Sequence, residues 1–208
     1  MDITMLTLQD TQLLTRYYQA EKPYWMSFVN HYESCGVTMI NVCVQSEEDQ
    51  KSVLSFSYSA NINLNVFILD KHSCPDSALK KFNFRAISHQ RKYTLLADCD
   101  EFLTSQTNKQ LTLDEFFDPP RISSLQVQWL MDINYFDSPN FENFRRYGFW
   151  GRGSKPIALS NSVLAINTVH HFRIDDRVRS NQLKIRDMKA NLSMSGVVLV
   201  HAWARSFK

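Results

Sequence analysis

Short apolar segments alternate with amphipathic segments through the first half of the chain, and this alternation restricts the fold more than any other feature. The apolar segments, several of them rich in β-branched residues, predict strands over 3–8, 38–44, 65–69 and 93–97. The segments between them carry apolar residues at helical spacing and predict helices over 11–19, 23–36, 53–58 and 77–90. Strands that alternate with helices form right-handed βαβ units, so we expect an α/β fold with a mostly parallel sheet flanked by helices.

Polar residues mark the predicted boundaries of these elements. Asp10 and Asp76 are the expected N-caps of the helices predicted over 11–19 and 77–90, because an Asp side chain accepts hydrogen bonds from the free N–H groups of a helix start. Residues 45–50 are predicted to form a polar loop.

The second half of the chain is less regular, and we expect it to complete one domain of residues 1–208. A turn of helix is predicted over 113–117, and further strands over 124–133, 163–172 and 197–203. Residues 135–152 are rich in aromatic residues, Asn, Arg and Gly and predict a long loop. Loops of that length are uncommon in a compact domain unless they have a function.

The composition is that of a globular protein, with 44% hydrophobic and 12% aromatic residues, and it excludes a disordered chain. Its charge is uneven: 15 acidic and 10 basic side chains give residues 1–120 a net charge of −5, whereas 6 acidic and 13 basic ones give residues 121–208 a net charge of +7. A basic half can face a phosphorylated ligand or nucleic acid, or can simply be a solvated surface. Because the sequence carries no nucleic-acid-binding signature, we expect no nucleic-acid partner.

The four cysteines show neither a CxxC pair nor zinc-finger spacing and are typical of a reducing compartment. The first residues lack the basic and apolar regions of a signal peptide. No segment has the ~20 apolar residues of a transmembrane helix. We therefore expect a cytoplasmic protein, and contact with the surface of a membrane remains compatible with the sequence.

Three acidic side chains, Asp98, Asp100 and Glu101, follow directly on the strand predicted over 93–97. Carboxylates repel one another, so a fold does not place three together without a cost. In an extended backbone Asp98 and Asp100 project from the same face. Such a pair suits a hard divalent cation that binds a diphosphate, at the sheet edge where α/β proteins bind ligands. The other interpretation is an acidic loop that caps the following turn.

The segment YTLLADCDEFL resembles the strand and DxDEF motif of GT-A glycosyltransferases, in particular of the family 92 and family 2-like group. Four other segments resemble this group in order and spacing: PYWMSFVNHYESCGVTMINV, SLQVQWLMDI, SKPIALSNSVLAINTVHHF and VLVHAWARSFK. The resemblance covers most of the chain, and the DxDEF motif is its specific part.

This resemblance implies a GT-A-like, Rossmann-like domain in which residues 1–103 bind a nucleotide sugar and residues 104–208 form the acceptor side. It implies a metal-dependent glycosyltransferase that moves a hexosyl or related sugar from a UDP- or GDP-linked donor. The acceptor is expected to be a glycan, a polysaccharide or another hydroxyl compound. Mn²⁺ or Mg²⁺ is the implied cofactor, and an inverting transfer is favoured.

The resemblance also assigns metal and donor-binding roles to individual positions. Asp98 is expected near the ribose of the donor and the metal, Asp100 is the direct metal ligand, and Glu101 supports the loop. His170 matches the Val-His position of the group and is the expected third ligand. A histidine in a strand is also often a satisfied core or surface residue.

Three further positions complete the predicted site. Asp132 ends the strand that carries Trp129, where the acceptor should approach, and is the expected general base. A turn residue at the end of a strand is its alternative interpretation. Lys155 and Arg205 are expected to bind the donor diphosphate, because cationic side chains pair with phosphate oxygens. Surface charges are the alternative for both.

Some positions differ from the pattern of the group. Leu159-Ser160 stands where an Arg-Pro pair is usual, and the acidic run Glu47-Glu48-Asp49 replaces a small polar pattern. A second hypothesis is therefore a catalytically inactive GT-A-like protein that binds a nucleotide, a sugar or an anionic ligand. Hydrolysis of a donor would distinguish the two hypotheses.

Overall fold

The computed structural model describes residues 7–71, 73–105, 112–117, 123–132, 148–175 and 197–201. Their strands are β1 Thr11–Arg16, β2 Met39–Val44, β3 Asn63–Ile68, β4 Tyr93–Leu96, β5 Glu101–Ser105, β6 Ser124–Asp132, β7 Gly148–Leu159, β8 Val163–Thr168, β9 His171–Ile174 and β10 Val197–His201. The α-helices are α1 Trp25–Ser34, α2 Glu47–Leu54, α3 Pro75–Lys80 and α4 Leu113–Phe117. None of these described helices combines the length and the apolar character that crossing a bilayer requires.

Eight strands form one sheet in the order β3-β2-β1-β4-β7-β6-β10-β5. The first four strands of that order are mutually parallel. β7 is antiparallel to both β4 and β6, β10 is parallel to β6, and β5 closes the sheet antiparallel to β10. A separate hairpin pairs β8 with β9. The predicted single α/β domain with a mostly parallel sheet is confirmed.

Strand β1 occupies residues for which the sequence predicts a helix, so the prediction over 11–19 is wrong. The strand lies between β2 and β4, and five of its six residues are buried. A strand covered on both faces loses the alternation of apolar and polar residues that identifies strands in a sequence. Asp10 precedes it in the left-handed backbone region, with φ 58°, and caps no helix.

Other boundaries differ for local reasons. The polar loop predicted over 45–50 contains the start of α2, where the Ser46 side chain accepts a 3.0 Å hydrogen bond from the Asp49 backbone N–H. This capping contact turns a polar run into a helix start. Cys74, not Asp76, precedes the first residue of α3. The strand predicted over 163–172 is two strands, β8 and β9, joined by a turn. Residues 1–6, 133–147 and 202–208, which include parts of other predicted elements, lie outside the described residues.

Helix α1 packs as its spacing predicts, with Trp25, Phe28, Val29 and Tyr32 buried. Tyr32 also connects the helix to the start of β5. Its hydroxyl donates a 2.9 Å hydrogen bond to the Glu101 carbonyl oxygen and accepts a 3.2 Å bond from the Leu103 backbone N–H. The chain that follows the acidic residues is therefore held against the helix.

A row of buried and half-buried polar side chains crosses the parallel strands. Asn65 Nδ2 donates a hydrogen bond to Asn41 Oδ1, and Asn41 Nδ2 donates one to Gln12 Oε1; both distances are 3.0 Å. Gln12 Nε2 donates in turn to Thr94 Oγ1, at 2.9 Å, and to the Ile87 carbonyl oxygen, at 3.0 Å. Because a slipped register would leave these groups unpaired, the row specifies the alignment of β3, β2, β1 and β4.

Replacing Gln12 by Leu should lower the free energy of unfolding by about 1–3 kcal/mol, because the Asn41 amide and the Ile87 carbonyl lose their buried partner. Urea denaturation measures this loss. The matched control is Asn63→Ala, at the exposed first residue of β3, which should change stability by less than about 0.5 kcal/mol. Equal effects of the two substitutions would contradict a role for the buried row.

Candidate functional site

The carboxyl ends of β1, β2 and β4 meet at one edge of the sheet, because these strands are parallel and adjacent. Each of them ends close to a polar residue: Arg16 ends β1, Gln45 follows β2, and Asp98 lies two residues after β4. In α/β sheets ligands bind in the crevice outside this edge. The polar residues therefore lie where the fold places a binding site.

A cavity of about 370 Å³ opens at this edge, between the strand ends and helices α2 and α3. Its lining residues are Arg16, Tyr17, Tyr18, Gln45, Asp49, Cys74 and Asp76. The volume falls within the range of roughly 300–1,000 Å³ that is usual for small-molecule sites. Two tyrosines beside carboxylate and amide groups suit a ligand that has both a flat or apolar face and hydroxyl groups.

The acidic segment after β4 forms a turn. The Glu101 backbone N–H donates a 3.0 Å hydrogen bond to the Asp98 carbonyl oxygen, and the Asp98 N–H donates a 2.7 Å bond to Glu101 Oε2. The expectation of an extended backbone from Asp98 to Asp100 is therefore wrong, and the shared-face argument does not apply. The chain bends here because it must leave β4 for β5, at the far edge of the sheet.

Asp98 is held between two cationic side chains. Its Oδ1 accepts hydrogen bonds from Arg16 Nη2, at 2.9 Å, and from Arg16 Nε, at 3.1 Å, while its Oδ2 lies 2.5 Å from Lys155 Nζ. Burial by itself raises the pKa of the Asp98 carboxyl, but the charges of Lys155 and Arg16 outweigh burial and lower that pKa to about 2. Asp98 is therefore ionised and fixed in position.

Lys155 and Glu101 lie behind Asp98, and both side chains are 0% exposed. Lys155 Nζ is 3.4 Å from Glu101 Oε2, and Glu101 Oε1 has no hydrogen-bond partner among the described residues. Burial raises the pKa of Glu101 to about 8, despite the nearby charge of Lys155. The amine thus supports the acidic turn from inside the protein, and its expected contact with a donor stays a prediction.

His170 lies in the turn between β8 and β9, not inside a strand as expected. Its Nδ1 is 3.1 Å from the carbonyl oxygen of Ser154, the residue before Lys155. Burial, and then the charge of Lys155, lowers the pKa of the imidazole. A neutral imidazole is the form that binds metals. The fold thus brings His170 to the neighbourhood of the acidic turn.

The expected metal ligands Asp98, Asp100 and His170 do not form a ligand set in this arrangement. Over the ranges that the model describes, no three His, Cys, Asp or Glu side chains are grouped to hold a metal ion. Asp98 does not fit a divalent cation here, because each of its oxygens already pairs with a cation. Asp100, half-buried on the turn, and His170 are the members of the set that remain as candidates.

Asp132 ends β6, opposite Gly148 of β7. β6 runs in the same direction as β4, so Asp132 belongs to the same edge of the sheet as Asp98. Val127 is the residue opposite Lys155, and a rise of ~3.3 Å per residue places Asp132 about 16 Å further along the strand. Its role as a general base stays a prediction. Arg205 lies outside the described residues.

Sequence reasoning missed several residues of the cavity. Arg16 is the last residue of β1, and Tyr17 and Tyr18 come directly after it. They were missed because the sequence predicts a helix over 11–19 and not a strand that ends at the cavity. Asp49 had a usable signal, since Ser46 and Asp49 have the spacing of a helix cap. Asp76 was interpreted only as a helix cap, and no pattern in the sequence indicates that it meets Arg16.

No protein-family model and no curated protein matches the chain. A crystal structure of S. aureus TarS 1–349 matches with 19% identity and a TM-score of 0.42, over 62% of this chain and 38% of that chain. S. aureus TarS 1–349 in complex with UDP-GlcNAc matches with 18% identity and a TM-score of 0.43, over 62% and 37%. The match thus spans less than two thirds of the TarS chains.

Replacing Lys155 by Met should lower the free energy of unfolding by about 1–3 kcal/mol, because Asp98 keeps Arg16 as its one cationic partner among the described residues and loses its charged hydrogen bond to Lys155. Chemical denaturation at neutral pH measures the effect. Lys81→Met is the matched control, since Lys81 forms an exposed ion pair with Asp70, and such pairs contribute about 0–1 kcal/mol. A loss at Lys155 no larger than at Lys81 would contradict the buried pairing.

Replacing Glu101 by Gln should change how stability depends on pH. Unfolded Glu101 releases its proton near its ordinary pKa of 4.5, whereas the folded protein holds it until about pH 8. Between these values the folded state binds more protons, so the wild-type protein should lose stability relative to Glu101→Gln as the pH rises through this window. Denaturation of both proteins from pH 4 to pH 9 measures the difference. A constant difference across the window would show that burial does not raise this pKa.

Proposed function

We propose that this protein is a glycosyltransferase of the GT-A type that binds a nucleotide-sugar donor in the cavity beside the acidic turn. One observation carries the proposal: Arg16 lines the cavity and is also hydrogen-bonded to Asp98 of the turn. A donor has a nucleoside to bind and a diphosphate to neutralise. The cavity supplies the first environment, and Arg16, which stands between the cavity and the acidic turn, supplies positive charge for the second.

The cavity suits the nucleoside part of such a donor. Tyr18 is partly exposed and offers a ring for stacking. Asp49 and Gln45 offer oxygen acceptors of the kind that bind the hydroxyl groups of ribose. The sequence resemblance to GT-A glycosyltransferases supports the same assignment, because its specific segment is the one that forms the turn.

Asp98, fixed by Arg16 and Lys155, holds the turn that carries Asp100. We assign Asp100, with His170 as a second candidate, to a divalent cation, Mn²⁺ or Mg²⁺. When bound, such a cation neutralises charge on the departing nucleoside diphosphate. Asp98 then acts as the support of the turn and not as a ligand, which revises its expected role.

The acceptor side is assigned to the second half of the sheet. Asp132 is the proposed general base of an inverting transfer to a glycan, polysaccharide or other hydroxyl acceptor. Its place on β6, five residues beyond the level of Lys155, puts it further out along the strands than the acidic turn.

An inactive protein that binds a nucleotide, a sugar or an anion is the second candidate function. The pairing of Asp98 with two cations favours it, because that carboxylate is already neutralised. Hydrolysis of a donor in the presence of Mn²⁺ separates the two candidates. UDP-GlcNAc, the ligand of the TarS complex, is a suitable first donor.

Replacing Asp100 by Asn should weaken Mn²⁺-dependent binding of UDP by about tenfold or more, because a charged oxygen ligand becomes a neutral one. Calorimetric titration with UDP, with and without Mn²⁺, measures binding, and the melting temperature should stay unchanged. Asp114→Asn is the matched control, since Asp114 is exposed on α4 and pairs with Lys92. An affinity of the Asp100 variant equal to that of the control would overturn the metal assignment.

A further inference from the structure

Five ionisable side chains, acids and bases in alternation, lie in contact from the wall of the cavity to the interior of the protein. In order of contact they are Asp76, Arg16, Asp98, Lys155 and Glu101. Arg16 is the member that faces both the cavity and the acidic turn. It contacts two carboxylates, and these differ greatly in their exposure to water.

The contact of Arg16 with Asp98 is the protected one. Nε and Nη2 both donate to Asp98 Oδ1, and the Asp98 side chain is 24% exposed. Separating the two would leave a partly buried carboxylate short of a partner, which is costly. Two of the three guanidinium nitrogens are therefore committed to the turn.

The contact of Arg16 with Asp76 is the weak one. Nη1 donates to Asp76 Oδ1, and the Asp76 side chain is 56% exposed at the start of α3. Water and salt screen an exposed pair, so it adds little stability. Separation costs little because water can take the place of Nη1 on the Asp76 carboxylate.

Both partners of this weak pair line the cavity. Asp49, the other carboxylate among its described lining residues, is already held, since it accepts hydrogen bonds from Ser46 Oγ at 2.7 Å and from Gln19 Nε2 at 3.3 Å. Arg16 is the one cation among those lining residues. An anion that enters the cavity therefore competes with Asp76 for Arg16 Nη1.

We propose that Arg16 exchanges Asp76 for an anionic group of the bound ligand while it keeps Asp98. The guanidinium suits a phosphate or a carboxylate, because its N–H groups match the oxygens of both. The pair with Asp76 makes Arg16 a selectivity residue, since a neutral ligand gains nothing from displacing Asp76. This inference rests on the proposed function in one respect, that the anion expected first is the diphosphate of a donor.

The test measures the affinity of the full chain for three probes without metal: UDP, uridine and glucuronate. Replacing Asp76 by Asn removes the competing charge and should increase the affinity for UDP by about 2- to 5-fold, the range expected for loss of an exposed ion pair. Uridine, which has no anionic group, should bind Asp76→Asn and the wild-type protein equally. Asp70→Asn is the matched control, because Asp70 is an exposed acid paired with Lys81 and not with Arg16.

Each outcome decides the proposal. Tighter binding of UDP alone assigns the site to phosphate, and tighter binding of glucuronate as well assigns it to anions in general. Equal affinity of Asp76→Asn and wild type for UDP overturns the exchange but leaves a donor site in place. The exchange is also overturned if Asp70→Asn tightens the binding of UDP as much as Asp76→Asn does. It is overturned as well if Asp76→Asn tightens the binding of uridine as much as that of UDP. If UDP binds neither protein even after Mn²⁺ is added, but Asp76→Asn tightens the binding of glucuronate, the donor proposal fails and the exchange stands. If no probe binds with or without Mn²⁺, both fail.

Discussion

The carboxylate of Asp98, held between Arg16 and Lys155, is the contact on which the arrangement of the site depends. A carboxylate withdrawn from water is costly unless cations and hydrogen bonds replace its hydration. The two cations come from β1 and β7, and Asp98 itself follows β4. The register of three strands must therefore be correct before this one group is satisfied, and the geometry of the acidic turn follows from the register.

Part of the fold could be predicted from the sequence because the patterns were strong. The spacing of Trp25, Phe28 and Tyr32 identifies α1, and the apolar run before Asp98 identifies β4. β1 could not be predicted in the same way, since a strand buried on both faces has no alternation to detect. The row of polar side chains that aligns the parallel strands also has no sequence signal, because its members come from four separate strands.

The site was predictable to a similar degree. Asp98, Glu101 and Lys155 were identified from the sequence, and the structure places them in one cluster. What could not be read from the sequence is which group faces which. Lys155 is a surface charge or a buried support depending on the strand register, and Arg16 is a helix residue or a cavity residue depending on the element that contains it.

The sheet changes from parallel to antiparallel where β4 meets β7. The backbone pairing between β4 and β7 extends from Tyr93 opposite Leu159 to Leu95 opposite Ile157. Beside it, the Lys155 side chain of β7 pairs with Asp98, which follows β4. The buried apolar core continues across the seam between β4 and β7 and joins the strands on either side. A chimaera that keeps β7, its lysine and the shared core, and changes the outward-facing residues of β6, β10 and β5, is consequently a rational way to graft a new recognition surface beside the parallel strands.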